Sequence, residues 1–333
     1  MSSTHKAHIM ILATGGTIAG VADETHTDYE SGVLGIDTLL QDFPQIHSLA
    51  HIHTKQICNI DSADMSDDIW LTLAHNIKVI LSDSLYDGIV ITHGTDTMEE
   101  SAFFLHLTTI SDKPIILTGA MRPFNDALYD GGKNLFNAIK LAAYKDSQNR
   151  GVMVCMNGQI YSPLDVSKLH TLEIDAFSSK GGIGFVTDSS ICFSSPLIAR
   201  QRSIFHIENL KSLPRVDILY SYANDGSSIA AKALFESGTK GIVIAGSGAG
   251  SIHRAHKEML KSLLKQGLVV VVSSRINQGS VHISKADSEL GFISSAGLNP
   301  QKARVLLMLA LSQSKDLAEI ARIFQSLFNF HTF

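Results

Sequence analysis

Two short segments place hydroxyls, glycines and acids where they could do chemistry. Ala13-Thr14-Gly15-Gly16-Thr17-Ile18-Ala19-Gly20 follows one apolar run, and Ile91-Thr92-His93-Gly94-Thr95-Asp96-Thr97-Met98-Glu99-Glu100 leaves another. A threonine hydroxyl is a weak nucleophile and attacks only when a base or a hydrogen-bonded relay takes its proton. Paired glycines let a backbone approach a ligand closely. Backbone N–H groups at a helix start can stabilise an oxyanion or a carboxylate. Plainer readings compete. The first segment also reads as a strand-ending turn. In the second, Thr95 or Asp96 can cap a helix whose first turn is acidic. Capping accounts for Asp96, Glu99 and Glu100, but not for three threonines packed around His93 and Gly94. Other chemistries are excluded by what is missing. No Gly-Lys-Ser/Thr follows the first segment, so it is no phosphate loop. No Gly-x-Ser-x-Gly elbow occurs. In Gly246-Ser247-Gly248-Ala249-Gly250-Ser251, Ser251 stands where a dinucleotide fingerprint needs its third glycine. His51-Ile52-His53 can face one side of a strand, but no further ligand sits at metal spacing.

The elements that must position these residues are legible as runs. Ile9 to Leu12, Gly88 to Thr92, Pro114 to Thr118 and Val152 to Met156 read as strands, with helices over Trp70 to Leu81 and Met98 to Leu107 between them. A second set follows: strands Asp217 to Tyr220, Gly241 to Ala245 and Leu268 to Ser273, a helix over Ala255 to Lys265, and a late helix starting at Pro300. Alternating strands and helices predict an α/β protein. Its larger N-terminal domain (1–193) has a mostly parallel sheet flanked by helices, and its smaller α/β domain (216–333) is C-terminal. Ser194 to Arg215, polar and basic with Pro196 and Pro214, reads as the linker. Ligands bind such sheets at the carboxyl ends of the strands, where both threonine segments lie.

Composition bounds the function. The 333 residues are 44% hydrophobic and 18% charged, a globular balance, and the formal net charge is −5. A mildly acidic chain without a basic block is a poor partner for nucleic acid. No apolar run approaches the roughly 20 residues needed to span a bilayer. The apolar segment from Ile9 is too short for a signal peptide, so the chain is expected in the cytoplasm, or in the periplasm after loss of a leader. Cys58, Cys155 and Cys192 are far apart and odd in number, which implies neither a disulfide framework nor a zinc site. Each is expected as a buried small apolar residue.

The pairing of Thr-Gly-Gly-Thr-Ile-Ala with His-Gly-Thr-Asp-Thr resembles the two signatures of the bacterial asparaginase/glutaminase family. Gln56 to Met65, Gly119-Ala120-Met121-Arg122-Pro123, Val166-Ser167-Lys168 and Leu298-Asn299-Pro300-Gln301-Lys302-Ala303-Arg304 fall in matching order. The resemblance implies hydrolysis of L-asparagine, and more weakly L-glutamine, with no cofactor and in a homotetramer of close dimers. It implies Thr17 as nucleophile and Tyr29 as its partner from a mobile lid. Thr95, Asp96 and Lys168 match a second triad. Asp96 also matches the partner of the substrate's α-ammonium, Ser62 that of the α-carboxylate, and Ala120 a backbone contact to the amide. Groups lent by a neighbouring subunit are carried over to Ser251 and to Glu289, with Asp287 the alternative. Without the resemblance, Tyr29 reads as a surface loop residue and Lys168 as a solvated lysine.

The chain departs from the family at Ala63, where a Gln or Glu that reaches the α-ammonium is common. The stretches Phe124 to Tyr129 and Leu169-His170-Thr171 also differ from the commonest members. Other amide preferences (glutamine, D-asparagine) and a non-catalytic amino-acid sensor are the alternative readings. A sensor needs neither Thr17 nor the Thr95-Asp96-Lys168 set.

Overall fold

The structure is a computed structural model that describes residues 6–23, 29–179, 182–194 and 205–329, with the backbone alone at 328 and 329. The chain forms two compact units, Met1–Asn209 and Leu210–Phe333.

The first unit is built on an eight-stranded sheet. Its order is Ile191–Phe193, Gly184–Val186, Gln159–Tyr161, Val152–Met156, Ile115–Thr118, Gly88–Thr92, His8–Gly15, His51–Ile60. The five strands from Val152–Met156 to His51–Ile60 are parallel, and the three short ones at the other edge are antiparallel. Gly88–Thr92, Ile115–Thr118 and Val152–Met156 are buried at every position, as continuous apolar strands covered on both faces must be. Their alternate side chains serve opposite faces. Ile9, Ile11, Val90, Ile116 and Met153 pack with Leu135, Ala138 and Ile139 of the helix Gly131–Ala142. Trp70 and Phe104, stacked at 5.2 Å between centroids, belong to the helices Asp67–Ser82 and Met98–Thr108. Phe103 and Phe104 are fully buried, each stabilising by roughly 1.5–3 kcal/mol. Asp67–Ser82 is helical because Ser66 caps it through Ile69 N–H and because Trp70, Leu73, Ala74, Ile77 and Ile80 recur at helical spacing on its buried side.

The strand order decides where a site can form. His8–Gly15 lies between the strand that follows it in the sheet's chain order, His51–Ile60, and the next, Gly88–Thr92. The crossovers therefore leave in opposite directions at this point, the arrangement in which ligands bind in a crevice at the carboxyl ends of the two strands, here His8–Gly15 and Gly88–Thr92. Thr17 and Thr95 follow those two ends.

The second unit carries a parallel sheet in chain order, Val216–Tyr220, Gly241–Gly246, Val269–Ser274, Phe292–Ser294. Ile242, Ile244, Val270 and Val272 form its core with Leu260 and Leu263 of the helix Arg254–Leu264. Asn299 caps the helix Pro300–Gln313 through Lys302 N–H.

Of the expected linker, residues 195–204 lie outside the described residues. Phe205 is buried and donates its N–H to Leu107 O. The expectation for two of the three cysteines is corrected. Cys192 is exposed, because the short edge strand Ile191–Phe193 turns Ile191 inward and its neighbour outward; Cys58 is half-buried, and Cys155 alone is fully buried. His51 and His53 lie on the edge strand, with His53 Nε2 3.1 Å from His8 Nδ1. Among the described residues, no group of three or more His, Cys, Asp or Glu is arranged to hold a metal, and no helix is long and apolar enough to cross a membrane.

Candidate active site

The first threonine turn is set by two glycines in the left-handed region, Gly15 at φ 98° and Gly16 at φ 82°. Both are also pressed against backbone. A Cβ on Gly15 would stand 2.5 Å from Ile60 N, and one on Gly16 2.3 Å from Gly94 Cα. Only glycine fits, so the two signature segments touch backbone to backbone. The chain then makes a 3-10 turn, Thr17–Ala19, all buried. Thr14 Oγ1 donates to Thr92 O at 2.9 Å and ties the two strand ends together. Ser62 closes the third side, because a Cβ on Gly94 would lie 2.6 Å from Ser62 Oγ, and Thr97 Oγ1 donates to Ser62 O at 2.8 Å.

Thr17 Oγ1 lies 3.1 Å from Tyr29 OH. Tyr29 comes from a two-stranded ribbon, Val21–Ala22 with Tyr29–Glu30, and is 42% exposed. The ribbon is anchored where it rejoins the site. Ser31 Oγ donates to Asp61 Oδ2 at 2.7 Å, and Gly32 N–H to Gly16 O at 3.2 Å.

On the other side, Lys168 Nζ donates to Thr95 Oγ1 at 2.9 Å and to Asp96 Oδ1 at 2.5 Å. Thr95 is 4% exposed and the Lys168 side chain 16%, whereas the Asp96 side chain is 62% exposed. Neither Thr95 nor Asp96 caps the following helix, which corrects the capping expectation. Thr97 occupies the cap position without a side-chain bond, its hydroxyl being turned to Ser62.

A buried line of polar groups runs beneath Thr95. Trp70 Nε1–H donates to Ser101 Oγ at 2.7 Å, and Ser101 Oγ lies 2.8 Å from His93 Nε2. His93 Nδ1 lies 2.7 Å from Gly94 O. The indole can only donate and the carbonyl only accept, so Ser101 O–H donates to Nε2 and His93 carries its proton on Nδ1. Complete burial drives the imidazole from the ordinary 6.5 to about 4, against the upward pull of Gly94 O. The neutral ring thus holds the Gly94 carbonyl. In a trans peptide the next N–H points the opposite way, so Thr95 N–H faces away from the ring.

Several positioning groups were invisible in the sequence. Asp130 accepts from Met121 N–H and Arg122 N–H at 3.0 Å each, and Asn134 Nδ2 donates to Gly119 O at 3.0 Å. Together they hold the loop that carries Ala120, which is buried. Tyr129 OH donates to Ile18 O at 2.8 Å and supports the Thr17 turn; burial and the neighbouring Asp130 push its phenol far up. Tyr129 ends the stretch that departs from the common family sequence. A tyrosine or acid in a loop gives no signal of such a bond until the fold brings its partner close.

Ser251, Asp287 and Glu289 belong to the second unit. Ser251 N–H donates to Ser247 O at 2.7 Å and its carbonyl accepts from Ser247 N–H at 3.0 Å. Asp287 takes Lys257 Nζ at 2.6 Å and Ser284 Oγ at 2.7 Å. Desolvation works upward on its carboxyl, but the Lys257 and Ser284 bonds and the charges of Lys257 and Lys261 outweigh it and hold Asp287 below the ordinary value. Glu289 ends the helix Lys285–Glu289, exposed, 3.9 Å from Lys285 Nζ.

Comparison with known proteins matches this geometry to a family. Residues 8–198 match the model of the N-terminal asparaginase domain, and residues 215–324 that of the glutaminase/asparaginase C-terminal domain. L-asparaginase 2 of Escherichia coli strain K12 is 44% identical over 95% of this chain and 92% of its own length. A glutaminase-asparaginase of Pseudomonas fluorescens biotype A is 39% identical over 97% of this chain and 91% of its own. Among solved structures, a probable cytoplasmic L-asparaginase from Campylobacter jejuni superposes with a TM-score of 0.93 at 54% identity, covering 96% of this chain and 99% of that one. Across both of its units, this chain belongs to the asparaginase family.

Proposed function

We propose that this chain is an L-asparaginase, a hydrolase that converts L-asparagine and water to L-aspartate and ammonia and acts more weakly on L-glutamine. The observation that carries the reading is the pair of threonine hydroxyls in one crevice, each bonded to a group that can relay a proton: Thr17 to Tyr29 and Thr95 to Lys168. In the reaction Thr17 Oγ1 attacks the side-chain amide carbon while its proton passes toward Tyr29. Backbone N–H groups of the Thr17 and Thr95 turns hold the oxyanion. The C–N bond breaks, ammonia leaves with the proton, and an aspartyl ester remains on Thr17. Water, held on the Thr95–Lys168 side, attacks the ester, and Thr17 regains its proton as aspartate departs. Asp96 takes the α-ammonium, Ser62 the α-carboxylate, and the Ala120 backbone faces the amide. No step uses a metal or an organic cofactor.

The family resemblance supports a homotetramer of close dimers in which Ser251 and Glu289 serve a neighbouring subunit's site. The engagement of Asp287 with Lys257 favours Glu289 as the lent acid. It also supports N- and C-terminal domains over 1–193 and 216–333. A broader glutaminase-asparaginase is the second reading, favoured by the similarity to the Pseudomonas fluorescens protein and by Ala63. Ammonia release from L-asparagine and from L-glutamine separates the readings. Strong release from asparagine with weak release from glutamine is expected. Equal rates support the second reading, and release from neither sinks both.

A further inference from the structure

Lys168 is held at both ends by one short window of sequence. Its ammonium donates to Thr95 Oγ1 and Asp96 Oδ1, and its backbone N–H donates to Glu99 Oε2 at 2.9 Å. Glu99 sits in the first turn of the helix Met98–Thr108 and is 6% exposed. An acid at that position reads as a helix-dipole residue, and the next residue, Glu100, meets that need equally. The dipole does not explain why Glu99 turns inward.

The strand it meets does. Ser167–Lys168 is only two residues long and pairs antiparallel with Phe177–Ser178. Leu169 N–H donates to Ala176 O on that side. Lys168 N–H points the other way, to an edge that no strand among the described residues pairs with, and there the Glu99 carboxylate accepts it. A two-residue ribbon has little register of its own. The Glu99 bond therefore ties Lys168 to the same segment, at the helix start, that carries Thr95 and Asp96.

We infer that Glu99 is a positioning residue that fixes Lys168 against Thr95 by accepting the Lys168 backbone N–H. The inference rests on the reading of Lys168 as part of the catalytic set. Glu99 is buried and acts through the Lys168 backbone, so its loss is expected to lower kcat and leave KM nearly alone.

The test compares Glu99→Gln, Glu99→Asp and Lys168→Met with the wild-type tetramer or dimer as isolated, using L-asparagine. Gln keeps an acceptor oxygen at the same reach without the charge. Asp keeps the charge but withdraws it by one carbon–carbon bond, ~1.5 Å, which takes the contact past hydrogen-bond range. Glu99→Asp is expected to lose roughly 30-fold or more in kcat, as displacements near 1 Å do, with KM within about threefold. Glu99→Gln is expected to recover kcat to within about threefold of wild type. Melting temperatures of both report folding separately, and a merely structural Glu99 moves them while leaving kcat at 25 °C alone. Wild-type kcat in Glu99→Asp, or equal losses in Asp and Gln, overturns the inference while a low kcat in Lys168→Met leaves the reading of Lys168 standing. Wild-type kcat in Lys168→Met overturns both.

Discussion

The two threonines of the crevice are held in opposite ways. Thr95 is buried, and its partner Lys168 is fixed at its ammonium by Thr95 and Asp96 and at its backbone by Glu99. Thr17 is buried too, but its partner Tyr29 is exposed and reaches in from a ribbon of two-residue strands. One half of the machinery is built into the helix and strand framework, and the other is completed by a side chain on the solvent side. The difference suits the chemistry assigned to them. On the proposed reading, the nucleophile admits substrate past its partner, whereas the water-activating pair stands ready when the ester forms.

The sharpest way to break this comparison is to remove each hydroxyl's role in turn. Thr17→Ala is expected to lose at least about 10³-fold in kcat, roughly 4 kcal/mol of barrier, while L-aspartate still binds in calorimetry. A variant that keeps a tenth of wild-type kcat would make Thr17 dispensable. Tyr29→Phe is expected to lose on the order of 10²-fold and to raise KM as well, because on the proposed reading substrate passes the exposed Tyr29 to reach Thr17. If Tyr29→Phe lowered kcat alone, its side of the crevice would be as preformed as that of Thr95.

The buried His93 sharpens the comparison through stability. Its folded-state pKa, about 4, lies below the ordinary 6.5. Between those values the unfolded chain binds a proton that the folded chain refuses, so stability is full above pH 6.5 and is lost as pH falls toward 4. The loss attributable to this one ring is on the order of 3 kcal/mol. Melting temperature is expected to fall from pH 7 to pH 5 and to fall less in His93→Asn, whose amide nitrogen sits where Nδ1 does. Identical slopes in both proteins would show that His93 takes up its proton as readily in the fold as in the unfolded chain.

Ala63 carries the smallest effect. It is exposed, on the 3-10 turn Ser62–Asp64, with its N–H donated to Asp61. In the proposed pose, with Ser62 holding the α-carboxylate, a longer polar side chain there reaches the α-ammonium. Such a bond is worth about 1.5 kcal/mol or more. Ala63→Gln is expected to raise kcat/KM about tenfold for L-glutamine, more than for L-asparagine, since the longer amide depends more on a firmly held α-amino end. Equal gains on both substrates would remove Ala63 as the determinant of preference.

The central strands were legible because buried parallel strands are continuous apolar runs. Gly88–Thr92 and Val152–Met156 begin and end where the sequence puts them. The helix Gly131–Ala142 was not, since it opens on two glycines and turns Asn134 and Asn137 inward. A Cβ on Gly132 would stand 2.2 Å from the Phe43 ring, which would have to shift to admit one. The resemblance names candidate site residues, but nothing local in the sequence names the groups that support them. Glu99 finds Lys168 at 69 residues' separation and Tyr129 finds Ile18 at 111, and no local pattern announces such pairs. The cap position failed for the same reason, because Thr97 answers to Ser62 rather than to its own helix.

The most direct test asks which threonine carries the acyl group. Lys168→Met enzyme, expected to be slow in the step that uses water, is mixed with L-asparagine and quenched in acid, and its peptides are mapped by mass spectrometry. An aspartyl ester is expected on the peptide containing Thr17, and it is expected to vanish in the Thr17→Ala, Lys168→Met double variant. An ester on the peptide containing Thr95, or one that survives loss of Thr17, contradicts the assignment of the nucleophile.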